Sequence, residues 1–307
     1  MIQKHKKRFF DRKLLFFCCL TVPLLLQFCI FYIYVNFNSF ILAFTSYDKF
    51  TQVTTFAGMD NFAEVFTAFF DSEESFAFWV RFKNSIINYG ITLLFGTGLA
   101  LLFSYYIYKK KVANGLFKIV LFLPSIVPGM ALISMYRYLV ETGGVYIYNS
   151  FSTEQVYSFL WSADRVYPTV LFFSVFMGFG TQVMMYLGAM SKINPSITDA
   201  LKLDGASFIR EFWSITLPCV YSTVITFIIV GMTAIFSSDM GLYSFFAMHA
   251  PSETQTLGYY LLNMTRSNVT NQELWPFISA VGLVYTIVLA PITIVLRFYL
   301  DKKDPMN

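Results

Sequence analysis

Charged residues are scarce in this sequence, and their scarcity argues against an ordinary water-soluble protein. Only 13% of the 307 residues are Asp, Glu, Lys or Arg, about half the share of a typical soluble chain, whereas 56% are apolar. The four cysteines lie in apolar stretches without paired or metal-ligand spacing, which argues against a disulfide scaffold or a zinc module. The composition therefore predicts an apolar environment for most of the chain.

Motifs for catalysis are also missing from the sequence. It contains no GxxxxGK[ST] phosphate cradle, so we expect no ATP hydrolysis by this chain. No Ser/His/Asp or Cys/His set with motif spacing is visible, and the two histidines, His5 and His249, are typical of solvated or interfacial positions. The sequence therefore predicts no catalytic residue, no metal site and no cofactor bound by this chain.

Long stretches without a charged residue are present instead. There are six of them, at 14–47, 84–108, 119–136, 166–191, 212–238 and 274–296. A helix needs about 20 residues to cross about 30 Å of hydrocarbon, and only a helix satisfies its own backbone there. The sequence therefore predicts an all-α membrane protein with six transmembrane helices, at about 14–44, 84–108, 115–140, 166–190, 217–240 and 274–298.

The distribution of charge predicts the orientation of these helices. With six helices both termini share one side of the membrane, and the four segments on that side carry 16 of the 22 Lys and Arg residues. Positively charged loops stay in the cytoplasm, so we expect cytoplasmic termini, with residues 1–13 as a basic tail and 14–307 as a single transmembrane domain. Topology thus accounts for the net charge of +4, and no nucleic-acid partner is expected.

Prolines and glycines interrupt several of the predicted helices. They are Pro23 in the first, Pro124, Pro128 and Gly129 in the third, and Gly178 and Gly180 in the fourth. Such residues are found at bends, at close helix contacts and along solute pathways. The pattern by itself leaves these three roles open.

The segment from residue 193 to residue 218 predicts two short helices between the fourth and fifth spans. Asn194 and Pro195 form a typical helix start, and Gly205 suits the end of that helix. A second helical stretch follows from about Ser207 to Thr216. Such an element could insert into a groove on a cytoplasmic partner or lie on lipid headgroups, and the pattern alone does not separate the two.

The sequence DALKLDGASFIREFWSITLP, residues 199–218, resembles the EAA loop of binding-protein-dependent ABC importers, whose form is EAAxxDGAxxxxxFxxIxLP. After the EAA triplet, seven positions match at fixed spacing: Asp204, Gly205, Ala206, Phe212, Ile215, Leu217 and Pro218. Asp199 replaces the family's Glu, which keeps the charge on a shorter side chain, and Leu201 replaces its second Ala. We call residues 193–218 the coupling loop.

Other patches resemble the carbohydrate-type permeases of this family, such as the maltose and glycerol-phosphate permeases. They are FAGMDNFAEVF at 56–66, Asn84 with Ser85, LPSIVPGMALISMYRYLV at 123–140 with Gly144 and Asn149 after it, and QTLGYYLLN at 255–263. The family's Gly-Gly-Pro before the last patch reads His249, Ala250 and Pro251, which leaves the loop geometry there open. The resemblance covers nearly the whole chain and implies the type I ABC importer permease fold.

The resemblance also implies partners and a location. A second homologous permease would pair with this chain in a bacterial cell membrane, two cytoplasmic ATPase subunits would use ATP and Mg, and an extracellular or periplasmic solute-binding protein would deliver the substrate. The coupling loop would relay nucleotide-driven movement as a rigid-body transition of packed helices. Its contacts to the ATPase would come from Asp199, Ala200, Asp204, Gly205 and Ala206, with Phe208 and Phe212 as apolar anchors.

Candidate substrate contacts follow from the related maltose permease, whose cavity is lined by the fourth and fifth spans. Counting without gaps gives Ser174, Met177, Gly178 and Thr181 on the fourth span, and Gly231, Ala234 and Ile235 on the fifth. Gln182 and Tyr186 are chemically plausible additions, because amides and aromatic rings suit sugar hydroxyls and C–H faces. Each of these positions also suits ordinary helix packing.

Two functions remain open at this stage. One is the permease of a carbohydrate importer, with a neutral oligosaccharide as first choice because the candidate positions offer no Lys or Arg, and a glycerol phosphodiester or another polyol as second. The other is an autonomous secondary carrier or channel for small polar solutes. None of the six uncharged stretches holds a histidine or a carboxylate, as an ion-coupled carrier would require.

Overall fold

The structure is a computed structural model that describes residues 12–70 and 75–305. The predicted basic tail therefore lies almost entirely outside the described residues. The chain divides into two compact units. One comprises the residues up to Val65 together with Thr270–Leu283, and the other comprises Phe66–Val269 and the residues from Val284 onward.

Helices dominate the described residues, and one short hairpin accompanies them. In chain order the elements are α1 Leu15–Leu42, β1 Thr45–Asp48, β2 Val53–Phe56, α2 Asp60–Phe70, α3 Ser75–Tyr108, α4 Asn114–Ile126, α5 Gly129–Phe151, α6 Ala163–Met190, α7 Pro195–Leu203, α8 Phe208–Cys219, α9 Tyr221–Thr233, α10 Leu242–Phe246, α11 Leu257–Ser267 and α12 Gln272–Asp301. Helices α1, α3, α6 and α12 are long and apolar enough to span a membrane. Counting each of the bent pairs α4–α5 and α8–α9 as one span gives six within residues 12–70 and 75–305, in agreement with the predicted fold class.

Two of the predicted spans are bent in the structure. Helices α4 and α5 meet at 105°, where Val127 adopts an extended conformation before Pro128. A proline disfavours the helical conformation of the residue before it and lacks the N–H that a continuous helix would use, which explains the break inside the predicted span 115–140. Helices α8 and α9 meet at 69° at Val220, two residues after Pro218.

Gly180 is a close helix contact. A Cβ atom built on it would lie 2.5 Å from the carbonyl oxygen of Leu121 in α4, so only glycine lets the two backbones approach this far. The neighbouring Gly178 has nothing within 4 Å of such an atom. The two glycines that the sequence analysis grouped together therefore have different surroundings.

The FAGMDNF patch has a structural role in the first unit. The Asn61 side-chain amide donates to the carbonyl oxygens of Ala43 and Thr45, each at 2.8 Å, and so connects the start of α2 to the end of α1 and to β1. The rings of Phe44 and Phe62 pack with centroids 5.0 Å apart. Gly58 supplies the positive φ of 60° at the turn into α2.

The second unit has two buried apolar clusters. One surrounds the first half of α6 and includes Val170, Phe173, Leu242 and Tyr259. The other combines the second half of α6 with the end of α3 and with Phe212 of α8. The coupling loop therefore shares a core with α3 and α6, which positions the candidate site described next.

Candidate functional site

The first helix of the coupling loop begins and ends at the residues that the sequence predicted. The side-chain oxygen of Asn194 accepts the backbone N–H of Ser196 at 3.1 Å, and α7 starts at Pro195. After Leu203 the backbone N–H of Ala206 donates to the carbonyl of Leu201 at 3.1 Å, as in a Schellman ending. Gly205 has a φ of 70° and so makes this turn without the strain another residue would bear.

The predicted ATPase contacts lie on the accessible part of this loop. Asp199, Ala200, Asp204 and Gly205 are exposed, and Ala206 is half-buried. Large apolar side chains on the same helix are also accessible, since Ile197 is 45% and Leu203 is 89% exposed. Helix α7 therefore presents an exposed surface with both charged and apolar groups.

The second helix of the coupling loop is held against α3. Ser207 caps it by accepting the backbone N–H of Arg210 at 3.3 Å. Glu211 is buried and forms an ion pair with Lys109, and the Tyr105 hydroxyl donates to the carbonyl oxygen of Phe208 at 3.0 Å. Since a buried carboxylate needs a charged or hydrogen-bonding partner, this pair fixes α8 to the end of α3.

Phe212 differs from its predicted role. The sequence analysis places it in the contact to a partner, whereas its ring is 5% exposed and packs on Tyr105 of the same chain, with centroids 5.0 Å apart. Phe208 is 40% exposed and its ring lies 4.4 Å from that of Tyr105. Phe208 and Phe212 are four residues apart and so share a helix face, which packs on Tyr105. The two phenylalanines therefore anchor the coupling loop to its own bundle.

A cavity of about 330 Å³ lies between α3, α6 and the α9 region of the second unit. We call it the central cavity. Its polar lining consists of hydroxyl and amide groups, contributed by Asn88, Tyr89, Thr92, Thr97, Ser174, Thr181, Gln182 and Ser238. The Ser174 hydroxyl donates to the side-chain oxygen of Asn88 at 3.5 Å. The Thr92 hydroxyl and the Gln182 carbonyl oxygen are buried without a hydrogen-bond partner among the described residues, as groups that await a polar ligand or water would be.

Six of the nine predicted substrate positions line this cavity. They are Ser174, Gly178, Thr181, Gln182, Gly231 and Ala234. The other three lie elsewhere: Met177 packs on the first apolar cluster, Tyr186 is fully buried against Phe227, and Ile235 is 6% exposed. The structure therefore does not bring Met177, Tyr186 and Ile235 to the cavity.

The sequence analysis missed the contribution of α3. Asn88, Thr92 and Thr97 bring three polar side chains from this helix into the central cavity. Asn88 and Thr92 are four residues apart and therefore share a helix face. Two polar residues at this spacing in an apolar stretch could have indicated that α3 contributes to the cavity. A π-helical stretch at Thr92–Thr97 shifts the register beside them, and such irregular turns are frequent at functional sites.

The patches at 84–85 and 255–263 meet at the other end of α3. The Asn84 amide donates to the carbonyl oxygens of Glu253 and Gln255, at 2.7 and 3.0 Å. The hydroxyl of Ser85 accepts the N–H of Leu257 at 3.0 Å. A Cβ atom on Gly258 would lie 2.5 Å from the backbone of Ser237 and Ser238, so the chain segments touch closely there. We call these contacts the latch.

The structure gives the geometry of the loop before the latch, which the sequence left open at His249 and Ala250. Neither residue has a positive φ, and the unusual backbone lies at Ala247 instead, with φ 51° and ψ −117°. The Tyr259 hydroxyl holds this loop by donating to the carbonyl of Ala247 at 2.9 Å and accepting the N–H of Ala250 at 3.1 Å. Burial raises the pKa of the Tyr259 phenol, which keeps it a neutral donor.

Comparison with protein families gives one match over most of the chain. Residues 92–305 match the model for the binding-protein-dependent transport system inner membrane component. A probable ABC transporter permease, YesP of Bacillus subtilis, is 28% identical over 214 residues, or 69% of this chain and 66% of YesP. The polygalacturonan/rhamnogalacturonan transport system permease YteP of the same organism is 23% identical over 66% of this chain, and the match spans 64% of YteP. These two matches therefore stop just short of two thirds of the relatives' length.

Longer matches come from one further relative and from a solved structure. The multiple sugar-binding transport system permease MsmF of Streptococcus mutans is 22% identical over 92% of this chain and 94% of its own length. A crystal structure of a bacterial ABC transporter involved in the import of the acidic polysaccharide alginate contains a similar chain, with a TM-score of 0.74 and 20% identity over 95% of this chain and 96% of that one. At this identity the likeness shows the fold.

Proposed function

The chain belongs to the family of binding-protein-dependent transport system inner membrane components, and from this premise we propose that it is the permease subunit of an ATP-driven ABC importer for a carbohydrate. The observation that carries the proposal is the coupling loop. Its first helix is exposed, and its second is fixed to the bundle by the Lys109–Glu211 pair. Because α7 is exposed and α8 is fixed to the bundle, a partner that moves α7 would also move the helices to which α8 is attached.

The central cavity supports a carbohydrate as the transported solute. Its lining includes hydroxyls and amides, which pair with sugar hydroxyls, and no Asp, Glu, Lys or Arg among the described residues. This composition favours a neutral oligosaccharide over an anion. The names of the relatives YteP and MsmF, which refer to polygalacturonan/rhamnogalacturonan and to multiple sugars, support a carbohydrate as the solute. Polygalacturonan is acidic, so the preference for a neutral solute rests on the cavity lining alone.

The proposed coupling runs through α3. Nucleotide binding in a separate ATPase subunit moves α7 through Asp199, Ala200 and the turn at Gly205. The buried ion pair and the Tyr105 ring transmit this displacement to the end of α3. Since α3 is one helix from Ser75 to Tyr108, the displacement also moves Asn88 and Thr92 at the central cavity.

The proposal includes the partners and the orientation. A second permease completes the passage, two ATPase subunits that themselves bind ATP and Mg dock on the coupling loop, and a solute-binding protein docks at the opposite face. The excess of Lys and Arg on the side of the coupling loop supports cytoplasmic termini. ATP hydrolysis is assigned to the separate subunits, because this chain has no phosphate cradle.

Purification and reconstitution test this function. The tagged chain is purified from its native membrane and reconstituted with the proteins that accompany it and the cognate binding protein. We expect an ATPase subunit and a second permease in the complex, and sugar uptake that stops when ATP is replaced by a non-hydrolysable analogue. A chain that purifies alone and transports a solute without ATP would instead be an autonomous carrier.

A further inference from the structure

A second cavity, which shares no residue with the central cavity, lies beside α5 and α10. Its volume of about 980 Å³ is at the upper end of the roughly 300–1,000 Å³ of ligand sites. Trp161, one of its lining residues, comes just before α6, whose other end leads to the coupling loop. This rim cavity therefore lies at the end of α6 that is remote from the coupling loop.

Two large aromatic side chains line the rim cavity and remain accessible. Trp161 is 71% and Tyr138 is 73% exposed. The Trp161 ring packs edge-on against Phe246, with centroids 5.7 Å apart, so one side of the indole has a fixed support. Rigid, exposed aromatic faces stack on the C–H faces of sugar rings.

Charged groups of both signs accompany these rings. Arg137 donates one N–H to the carbonyl oxygen of Phe245, and a guanidinium has five donors to offer. One Glu141 oxygen accepts the backbone N–H groups of Phe159 and Leu160, at 3.1 and 2.7 Å, and thereby fixes the loop that carries Trp161. A mixed set of donors and acceptors suits hydroxyl groups, which both donate and accept, and the opposite charges of Arg137 and Glu141 offset each other, as suits a neutral ligand.

The wall of the rim cavity contains the unusual backbone at Ala247. Its φ of 51° and ψ of −117° are rare for a residue with a side chain, and the surrounding hydrogen bonds hold it there. Such strain persists where the structure over-determines it, and it is concentrated at ligand sites. This observation is independent of the aromatic and charged groups.

We propose that the rim cavity is a saccharide subsite, in which a neutral sugar ring stacks on Trp161 and its hydroxyls bind Arg137 and Glu141. The proposal rests on the proposed function and adds a site remote from the coupling loop. The sugar would contact this subsite at the face where the binding protein docks, before it reaches the central cavity. Trp161 and Arg137 are then specificity-determining residues of the importer.

Saturation-transfer difference NMR on the intact importer in nanodiscs tests the subsite. The probes are maltotriose, cellotriose and diacetylchitobiose as neutral saccharides, trigalacturonate as an acidic one, and glycerol as a non-sugar. We expect ring-proton signals from at least one neutral saccharide. Binding should weaken by about tenfold in Trp161→Ala and in Arg137→Gln, and Trp161→Phe, which keeps an aromatic face, should restore most of it.

Tyr157→Ala is the matched control, because Tyr157 is a 94% exposed aromatic residue of the same loop and lies outside the cavity. The proposal is overturned if no neutral saccharide gives a signal, if trigalacturonate binds better, or if the signals are the same in Trp161→Ala. Loss of the second permease from the Trp161→Ala complex would show a subunit interface instead. ATP-driven uptake that persists in any of these cases leaves the proposed function intact and refutes the subsite alone.

Discussion

The coupling loop and the latch both attach a connecting segment to α3, at opposite ends of that helix, by different means. The latch uses neutral amide and hydroxyl groups bonded to backbone, together with a close backbone approach at Gly258. The coupling loop uses one buried ion pair, the tilted rings of Phe208 and Phe212 on Tyr105, and a single hydrogen bond from the Tyr105 hydroxyl to backbone. The latch thus fixes its whole segment, whereas the ion pair holds only α8 and leaves α7 exposed.

This difference shows how α3 can be held in place at the latch and also stay attached to the coupling loop. Neutral hydrogen bonds and backbone contact tolerate little displacement, so the latch keeps the start of α3 in place. An ion pair keeps its attraction over a longer distance, so α8 and the end of α3 stay attached when the coupling loop moves. Variants that weaken each attachment separately should therefore have different effects, which the following predictions rank from the largest to the smallest.

Removing the buried carboxylate should have the largest effect. In Glu211→Ala the Lys109 ammonium, 14% exposed, would lose its partner, which costs about 3 kcal/mol of folding free energy. Thermal unfolding of the purified complex and sugar uptake would both be measured, and both should decline. The double variant Lys109→Glu with Glu211→Lys should recover part of the loss.

The matched control for Glu211→Ala is Asp301→Ala. Asp301 pairs with Arg297 at 3.5 Å, and both side chains are largely exposed, so its loss should cost less than about 1 kcal/mol. Equal destabilisation by both variants would contradict the importance of the buried pair.

Gly258→Ala should disrupt the latch through overpacking. The new methyl group would meet the backbone of Ser237 and Ser238 at 2.5 Å, and the resulting shift should cost about 1–3 kcal/mol. Gly98→Ala is the control, since a Cβ atom on Gly98 in α3 meets nothing within 4 Å. The melting temperature should fall only in Gly258→Ala, and an unchanged value there would argue against a tight latch.

Gly205→Ala should act through backbone strain. A Cβ atom there has open space, but the φ of 70° costs a non-glycine residue about 1–2 kcal/mol. We expect uptake to decline while membrane insertion is retained. Gly205→Asn should be less harmful than Gly205→Ala, because Asn tolerates this conformation. Gly188→Ala in α6 is the control and should be neutral, because Gly188 has open space around it and an ordinary helical φ. Similar uptake in all three variants would show that the turn is not needed.

Asp199→Glu should have the smallest effect. The longer side chain restores the residue typical of the family at an exposed position, where a salt bridge contributes about 0.5 kcal/mol. The ratio of sugar transported to ATP hydrolysed should change by little more than about twofold. A complete loss of coupling would show that the shorter carboxylate is essential to this transporter.

The sequence predicted the features that depend on local pattern. Apolar length predicted six spans, which correspond to four long helices and two bent pairs among the described residues. The pair Asn194 and Pro195 with Gly205 predicted both ends of α7. Features that depend on packing were harder to predict from the sequence. Phe212 is an internal contact, because it shares a helix face with Phe208 and both rings pack on Tyr105 of α3.

The central cavity illustrates the same limit. Counting from a related permease gave seven positions, of which five line the cavity and Met177 and Ile235 do not. Of the two residues added for their chemistry, Gln182 lines the cavity and Tyr186 does not. The rotation of a helix about its axis determines which side chains face a cavity, and a π-helical stretch changes that rotation locally. For the same reason the contribution of Asn88 and Thr92 from α3 became visible only in the structure.

Site-directed cross-linking tests the central claim, that the coupling loop docks on a separate ATPase, most directly. The native cysteines Cys18, Cys19, Cys29 and Cys219 are first replaced by alanine, and a single cysteine is then introduced at Leu203, which is 89% exposed on α7, or at Tyr157 as a control. We expect the cysteine at 203 to cross-link to a nucleotide-hydrolysing subunit, with a yield that changes when ATP is added, and the cysteine at 157 to give no such product. Cross-links from position 203 to lipid alone, or none to a nucleotide-hydrolysing subunit, would contradict the account.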